Sequence, residues 1–111
     1  MTLFEQALVW HLVADWLLQN EWMQNKTNLL HPAAWVHSGI HLLGLLVLFP
    51  TWLALLVGLS HLLIDTRKPL IWWRTFFRQT QDPSNPASMH VAFWGDQVAH
   101  IAIIAIAVGV L

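Results

Sequence analysis

The sequence has no cysteine, which removes disulfide staples and thiolate metal sites. Any metal must then be held by histidine and carboxylate. Charge is also scarce. Charged residues make up 10% of the chain against ~25% in ordinary soluble domains, and apolar residues 57% against ~45–50%. A soluble domain of 111 residues needs a charged surface, and this chain lacks the residues to build one. The formal net charge is -1, so the basic bias of nucleic-acid binding is missing and no nucleic-acid partner is expected. There is no glycine-rich phosphate loop and no Ser–His–Asp order. Residues 1–20 lack a basic region ahead of an uninterrupted apolar core and a small-residue cleavage site, so no removable signal peptide is expected.

What is there reads as an all-α membrane protein. Apolar segments over residues 3–22, 33–49, 52–67 and 90–111 predict a four-transmembrane-helix bundle forming one integral membrane domain over residues 1–111. Residues 20–32 are polar and read as a loop or frayed helix end, closed by His31-Pro32. Pro50-Thr51 makes a tight break between the second and third spans. The third span is short and is expected to reach across by extending through Thr66 and Arg67, or by bilayer thinning or a partner chain.

Residues 68–80 alternate basic and bulky aromatic side chains, which predicts an interfacial amphipathic segment; a packed connecting helix is the alternative. All five Lys and Arg fall in the two connections on one side of an up-down-up-down path. The positive-inside bias makes that side cytoplasmic and puts both termini outside.

Each span carries one polar pair at i, i+4: His11 and Asp15, His37 and His41, His61 and Asp65, Asp96 and His100. Residues so spaced share one helix face. In an antiparallel bundle all four pairs come to the same depth, in the cytoplasmic half. Isolated His or Asp in a span usually serve packing or bundle hydrogen bonds. Four matched pairs at one depth instead predict a site. His31 and His90 sit in or beside loops and are read as solvated or capping. The glycines are read as permitting close helix packing.

Five His and three Asp, with no sulfur, suit a divalent ion, zinc before others. One or two ions are expected, on ligands drawn from His11, Asp15, His37, His41, His61, Asp65, Asp96 and His100. Gln19 and Gln97 would support the ligands from behind. One of Asp15, Asp65 and Asp96 would act as general base toward water. Lys26, Arg67 and Lys68 sit where an anionic headgroup would arrive. A proton or ion pathway is the rival, but the polar residues stop halfway across.

The runs HLVADWLLQNEWMQNK (residues 11–26), LLHPAAWVHSGIH (29–41), SHLLIDTRK (60–68) and DQVAH (96–100) resemble a bacterial membrane family catalogued as domain of unknown function 3307. The resemblance spans nearly the whole chain and implies a place in a bacterial inner (cytoplasmic) membrane. The chain is similar, more distantly, to inner-membrane metal-dependent hydrolases. The polar cluster and these resemblances together lead us to expect an intramembrane metal-binding protein, a metal-dependent hydrolase of a membrane-associated phosphoester or lipid. The alternatives are a non-catalytic metal or proton handler and a structural subunit of a membrane complex. The expected partners are the bilayer, a lipid or phosphoester substrate, and further copies of the chain in a homo-oligomer.

Overall fold

The computed structural model describes residues 1–18 and 20–111, with all of their side chains except that of Gln24. Helix α1 (Leu3–Leu12) starts at Thr2, whose hydroxyl accepts from the Glu5 amide at 3.1 Å and donates to its carboxylate at 3.0 Å. This cap satisfies one of the backbone donors that a helix start leaves open, the Glu5 amide. The helix then widens into one π turn, Val13–Leu17, with the Leu18 amide reaching back five residues to Val13. Such turns are frequent at functional sites, and this one carries Asp15.

The polar connection is more ordered than its composition predicts. Trp22–Thr27 forms a short 3₁₀ helix with Met23 buried, and it packs under α2. Helix α2 (Pro32–Leu48) opens with proline at its first position, where no amide is needed. The His31 Nδ1 accepts from the Ala33 amide at 3.0 Å. His31 is thus a cap. Pro50 ends the turn after α2, and α3 (Thr51–Asp65) follows at once.

Helix α3 does not extend through Arg67. Pro69 has no amide to give the Asp65 carbonyl, and its ring would strike that carbonyl. The chain turns instead at Arg67, in the left-handed region at φ 67°, with its amide on the Ile64 carbonyl at 2.9 Å. Helix α4 (Lys68–Phe76) buries none of its residues. A turn held by Asp82 leads to α5 (Pro86–Val110), capped by Asn85 and beginning four residues ahead of the expected fourth segment. Ser84 donates to the Asp82 carboxylate from its amide and its hydroxyl, which holds that carboxyl below its usual range.

Four helices close a ring in the order α1, α2, α3, α5, each touching its two neighbours. Among the described residues there are five α-helices and no strand. One of them, α5, is both long and apolar enough to cross a membrane; α2 and α3 are apolar but shorter. The ring's interior is divided. One half holds an apolar core of Ala7, Leu45, Phe49, Leu53, Ala54, Val57, Ile104 and Ala107. The other half holds buried His, Asp and Gln.

Trp10 fixes α1 against α2. Its indole donates to the His41 carbonyl at 3.0 Å and lies on Gly44, where any Cβ would overlap the ring. This glycine is required by close approach.

Candidate metal centre

The i, i+4 spacing turns one polar face of each helix into the ring. Buried together there are His11, Asp15, His37, His41, His61, Asp65, Gln97 and His100. The five imidazoles cluster, with His41 and His61 centroids 3.7 Å apart and His61 and His100 4.2 Å apart. Two carboxylates organise them. Asp15 Oδ1 lies 2.9 Å from His41 Nε2 and 3.1 Å from His37 Nε2. Asp65 lies 2.9 Å from His61 Nε2, 3.2 Å from His100 Nε2 and 3.3 Å from His37 Nε2. His37, which is fully buried, therefore stands between the two carboxylates.

Proximity here is not the same as hydrogen bonding. His41 to Asp15 and His100 to Asp65 are aligned as hydrogen bonds. Among the described residues, His37 Nε2, His61 Nε2 and Asp65 Oδ2 are buried without a hydrogen-bond partner. Buried polar atoms are nearly always satisfied, and leaving one bare costs about 1–3 kcal/mol. Asp65 Oδ2 lies within 3.3 Å of both bare imidazole nitrogens, an arrangement that fits a shared cation. Ligands about 2.0–2.1 Å from a tetrahedral ion are ~3.3 Å from each other, close to the 2.9 and 3.3 Å found here.

Two overlapping groups of side chains come close enough together to hold an ion. Asp15, His37, His41 and His61 each offer an atom within 4.8 Å of the others, and so do His61, Asp65 and His100. His61 belongs to both. The donor set is imidazole and carboxylate, suited to zinc or a similar divalent ion.

The remaining expected ligands stand one step out. His11 and Asp96 belong to neither group. His11 Nε2 lies 3.2 Å from Gln97 Oε1 and 3.4 Å from Asp15 Oδ2. Gln97 in turn donates to Asp15 at 3.3 Å and to Asp96 at 3.4 Å. These contacts fix the orientation of Asp15, the kind of support that ligating groups usually have. Asp96 is half-buried and its Oδ1 lies 3.5 Å from His100 Nε2. Gln19 lies outside the described residues.

A cavity of about 400 Å³ opens from the two carboxylates to the surface. Its lining includes Asp15, Asp65, Asp96 and Gln97 on the inner side, with Lys26 and Arg67 facing them. The 3₁₀ helix delivers Lys26 and the left-handed turn delivers Arg67. Lys68, grouped with them on sequence, does not line this cavity. Trp16 and Phe93 complete its wall, their rings 5.5 Å apart edge to face. Sequence reading missed Phe93, since one aromatic in an apolar helix gives no signal. It also missed Ser38, buried beside His37 with an unpartnered hydroxyl.

The family described as "Protein of unknown function (DUF3307)" matches residues 3–111, and the chain belongs to it. No curated protein and no solved structure matches the chain.

Proposed function

We propose that this member of the family is an intramembrane, metal-dependent hydrolase of a membrane-associated phosphoester or lipid. The observation that carries the metal is the convergence of His37 Nε2, His61 Nε2 and Asp65 Oδ2, buried and unpartnered. Removing one member of an ordinary buried hydrogen-bonded set leaves one bare atom; this centre has several already, all aimed at one another. Asp15, His37, His41 and His61 would hold one ion, and His61, Asp65 and His100 a second or the same one. Zinc is our choice among divalent ions.

The membrane reading is supported by an inside-out distribution of polarity. Buried positions hold His and Asp, while Leu43, Val47, Leu55, Leu56, Leu59, Val98 and Ile106 are more than half exposed. Water does not tolerate an apolar surface on this scale in a monomer. The 17 residues of α2 and 15 of α3 reach only ~25 and ~22 Å at 1.5 Å per residue. Against a ~30 Å hydrocarbon core, local thinning would be needed around them. The basic residues Lys26, Arg67, Lys68, Arg74 and Arg78 all lie at the end of the ring that holds the centre, which would face the cytoplasm.

A divalent ion held by these ligands would polarise a phosphoryl oxygen and acidify water. The protein's own groups take the other roles. Asp96 lines the cavity but stands outside both ligand groups, so it is the carboxylate free to accept a proton as general base. Gln97 keeps Asp15 in place. Lys26 and Arg67 set a cationic edge for an anionic substrate. Hydrolysis rests on this chemistry and not on the family, whose function is unknown.

The rival reading, passage of protons or metal across the membrane, has a structural obstacle. Beyond His41 and His61 lies a void of only about 20 Å³, then the apolar core around Leu45, Val57 and Ile104. No polar side chain continues the path there, among the described residues of that core. The deciding experiment is elemental analysis of the purified protein in detergent, wild type against His61→Ala, which removes the one residue common to both groups. Stoichiometric divalent metal in the first and its loss in the second is expected. No metal in either would end the metal reading.

A further inference from the structure

The cavity at the metal centre does not end at Arg67. A second one, about 520 Å³, begins there and runs outward between α4 and the start of α5. The two share Arg67, Phe93 and Asp96. One wall is the face of α4 bearing Arg67, Leu70, Ile71 and Arg74. Positions three, four and seven apart lie on one side of a helix. The opposite wall repeats that spacing on α5 with Met89, Ala92, Phe93 and Asp96. The groove is thus built by two matched helical faces and leads into the site.

Its chemistry is graded along its length. At the junction stands a guanidinium, with Lys26 and the buried carboxylates beyond it. Further out the two helical faces turn apolar, with Leu70, Ile71, Met89 and Ala92, while Arg74, Thr80, Gln81 and Ser88 add polar groups to the lining. Two turns of helix separate Arg67 from Arg74, ~10 Å along the axis. A water-soluble phosphoester has no use for the apolar walls. A neutral acyl chain has no use for two arginines at their ends. The far side of α4 exposes Trp72, Trp73, Phe76 and Phe77, the residues that seat a helix at headgroup depth. The groove mouth would then open where lipids lie.

We propose that this groove is the binding site for a lipid phosphate: a phosphate monoester on an acylated glycerol, its phosphate on Arg67 and the first carbons of its chains between α4 and α5. Arg74 draws the anionic head in from the outer end. The assignment rests on the reading of the centre as acting on phosphoesters. It explains why Arg67 occupies a left-handed position that glycine would fill at lower cost. A guanidinium fork is needed at that turn, because it grips a phosphate through two parallel hydrogen bonds.

The test is calorimetric titration of dioctanoyl phosphatidic acid into the full chain in detergent, with glycerol 3-phosphate and dioctanoyl phosphatidylcholine as comparators. The same preparations are assayed for zinc. The expected result is at least tenfold weaker binding of both comparators than of the phosphatidic acid. Arg67→Gln should weaken phosphatidic acid at least tenfold, and Arg74→Gln, on an open helix face, a few-fold, with zinc content unchanged in both. Equal affinity for glycerol 3-phosphate would overturn the acyl groove. Affinity unchanged in both arginine variants would overturn the site itself. Arginine-dependent lipid binding by a protein without metal would uphold the groove and remove the metal reading. Stoichiometric metal without arginine-dependent binding would do the reverse.

Discussion

His61 and Asp65 stand one helical turn apart on α3, Nε2 2.9 Å from Oδ2, yet neither atom takes part in a hydrogen bond. On an exposed helix such a pair would align or let water in. Here both side chains are buried, and His37 Nε2 lies 3.3 Å from the same Asp65 oxygen. That relationship decides the chemistry of the whole interior.

His61 belongs to both ligand groups, so it is the most damaging single loss. His61→Ala should abolish stoichiometric metal. His100→Ala removes a member of only one group and leaves Asp15, His37, His41 and His61 intact. It should retain about one ion per chain. Elemental analysis of both variants against wild type checks this; equal loss in both would refute the two-group arrangement.

Metal removal should destabilise the fold. Ligands that bind only the native state stabilise it, by ~2.7 kcal/mol at one hundred times Kd. A chelator should therefore lower the thermal midpoint of the wild type and leave that of His61→Ala nearly unchanged. Circular dichroism melts in detergent, with and without chelator, measure it.

Uptake of metal should fall steeply on acidification. An imidazole must be neutral to ligate, so protons and metal compete for the same nitrogens. With four histidines in the two groups, each proton that must leave adds to the slope. Zinc retention measured across a pH series should be full at neutral pH and lost as pH drops toward 5. Retention unchanged at pH 5 would count against histidine ligation.

Gly44→Ala should be costly and Gly39→Ala harmless. A Cβ at Gly44 overlaps the Trp10 indole, whereas one at Gly39 meets nothing. Overpacking costs about 1–3 kcal/mol, while alanine in an open helix gains up to ~1 kcal/mol over glycine. Melting temperatures of the two variants should therefore move in opposite directions.

Arg67→Gly should stabilise the chain while weakening its binding of a lipid phosphate. At φ 67° glycine relieves strain of about 1 kcal/mol. A higher midpoint together with weaker phosphatidic acid binding would show a residue kept for the site at the fold's expense. A lower midpoint would mean that the arginine side chain holds the turn.

The helical class was legible because apolar segments broken by Pro32, Pro50 and Pro86 leave few other structures. The four i, i+4 pairs were legible because the period of a helix puts such residues on one face. Their meeting at one depth followed from antiparallel order. What the sequence hid was local backbone. Nothing in Val13–Leu17 announces a π turn, since the difference from an α turn is one hydrogen-bond register. The 3₁₀ helix Trp22–Thr27 was hidden by a polar composition that also suits loops.

The division of labour among the eight ligand candidates belongs to the tertiary structure alone. By spacing, His11 and Asp96 are equivalent to His61 and Asp65. Only the packing of α1 against α5 turns His11 toward Gln97 and leaves Asp96 at the cavity wall. Spacing along a helix fixes which face a side chain occupies. Which atoms on neighbouring faces come within 3.3 Å is set by how the helices rotate and approach, and Trp10 on Gly44 is one contact that sets it. The sequence by itself determined that a polar, sulfur-free cluster would gather at one end of an apolar bundle. The tertiary structure decided that Asp15 and Asp65, joined through His37, are its centre, and that Arg67 lines the cavity beside them.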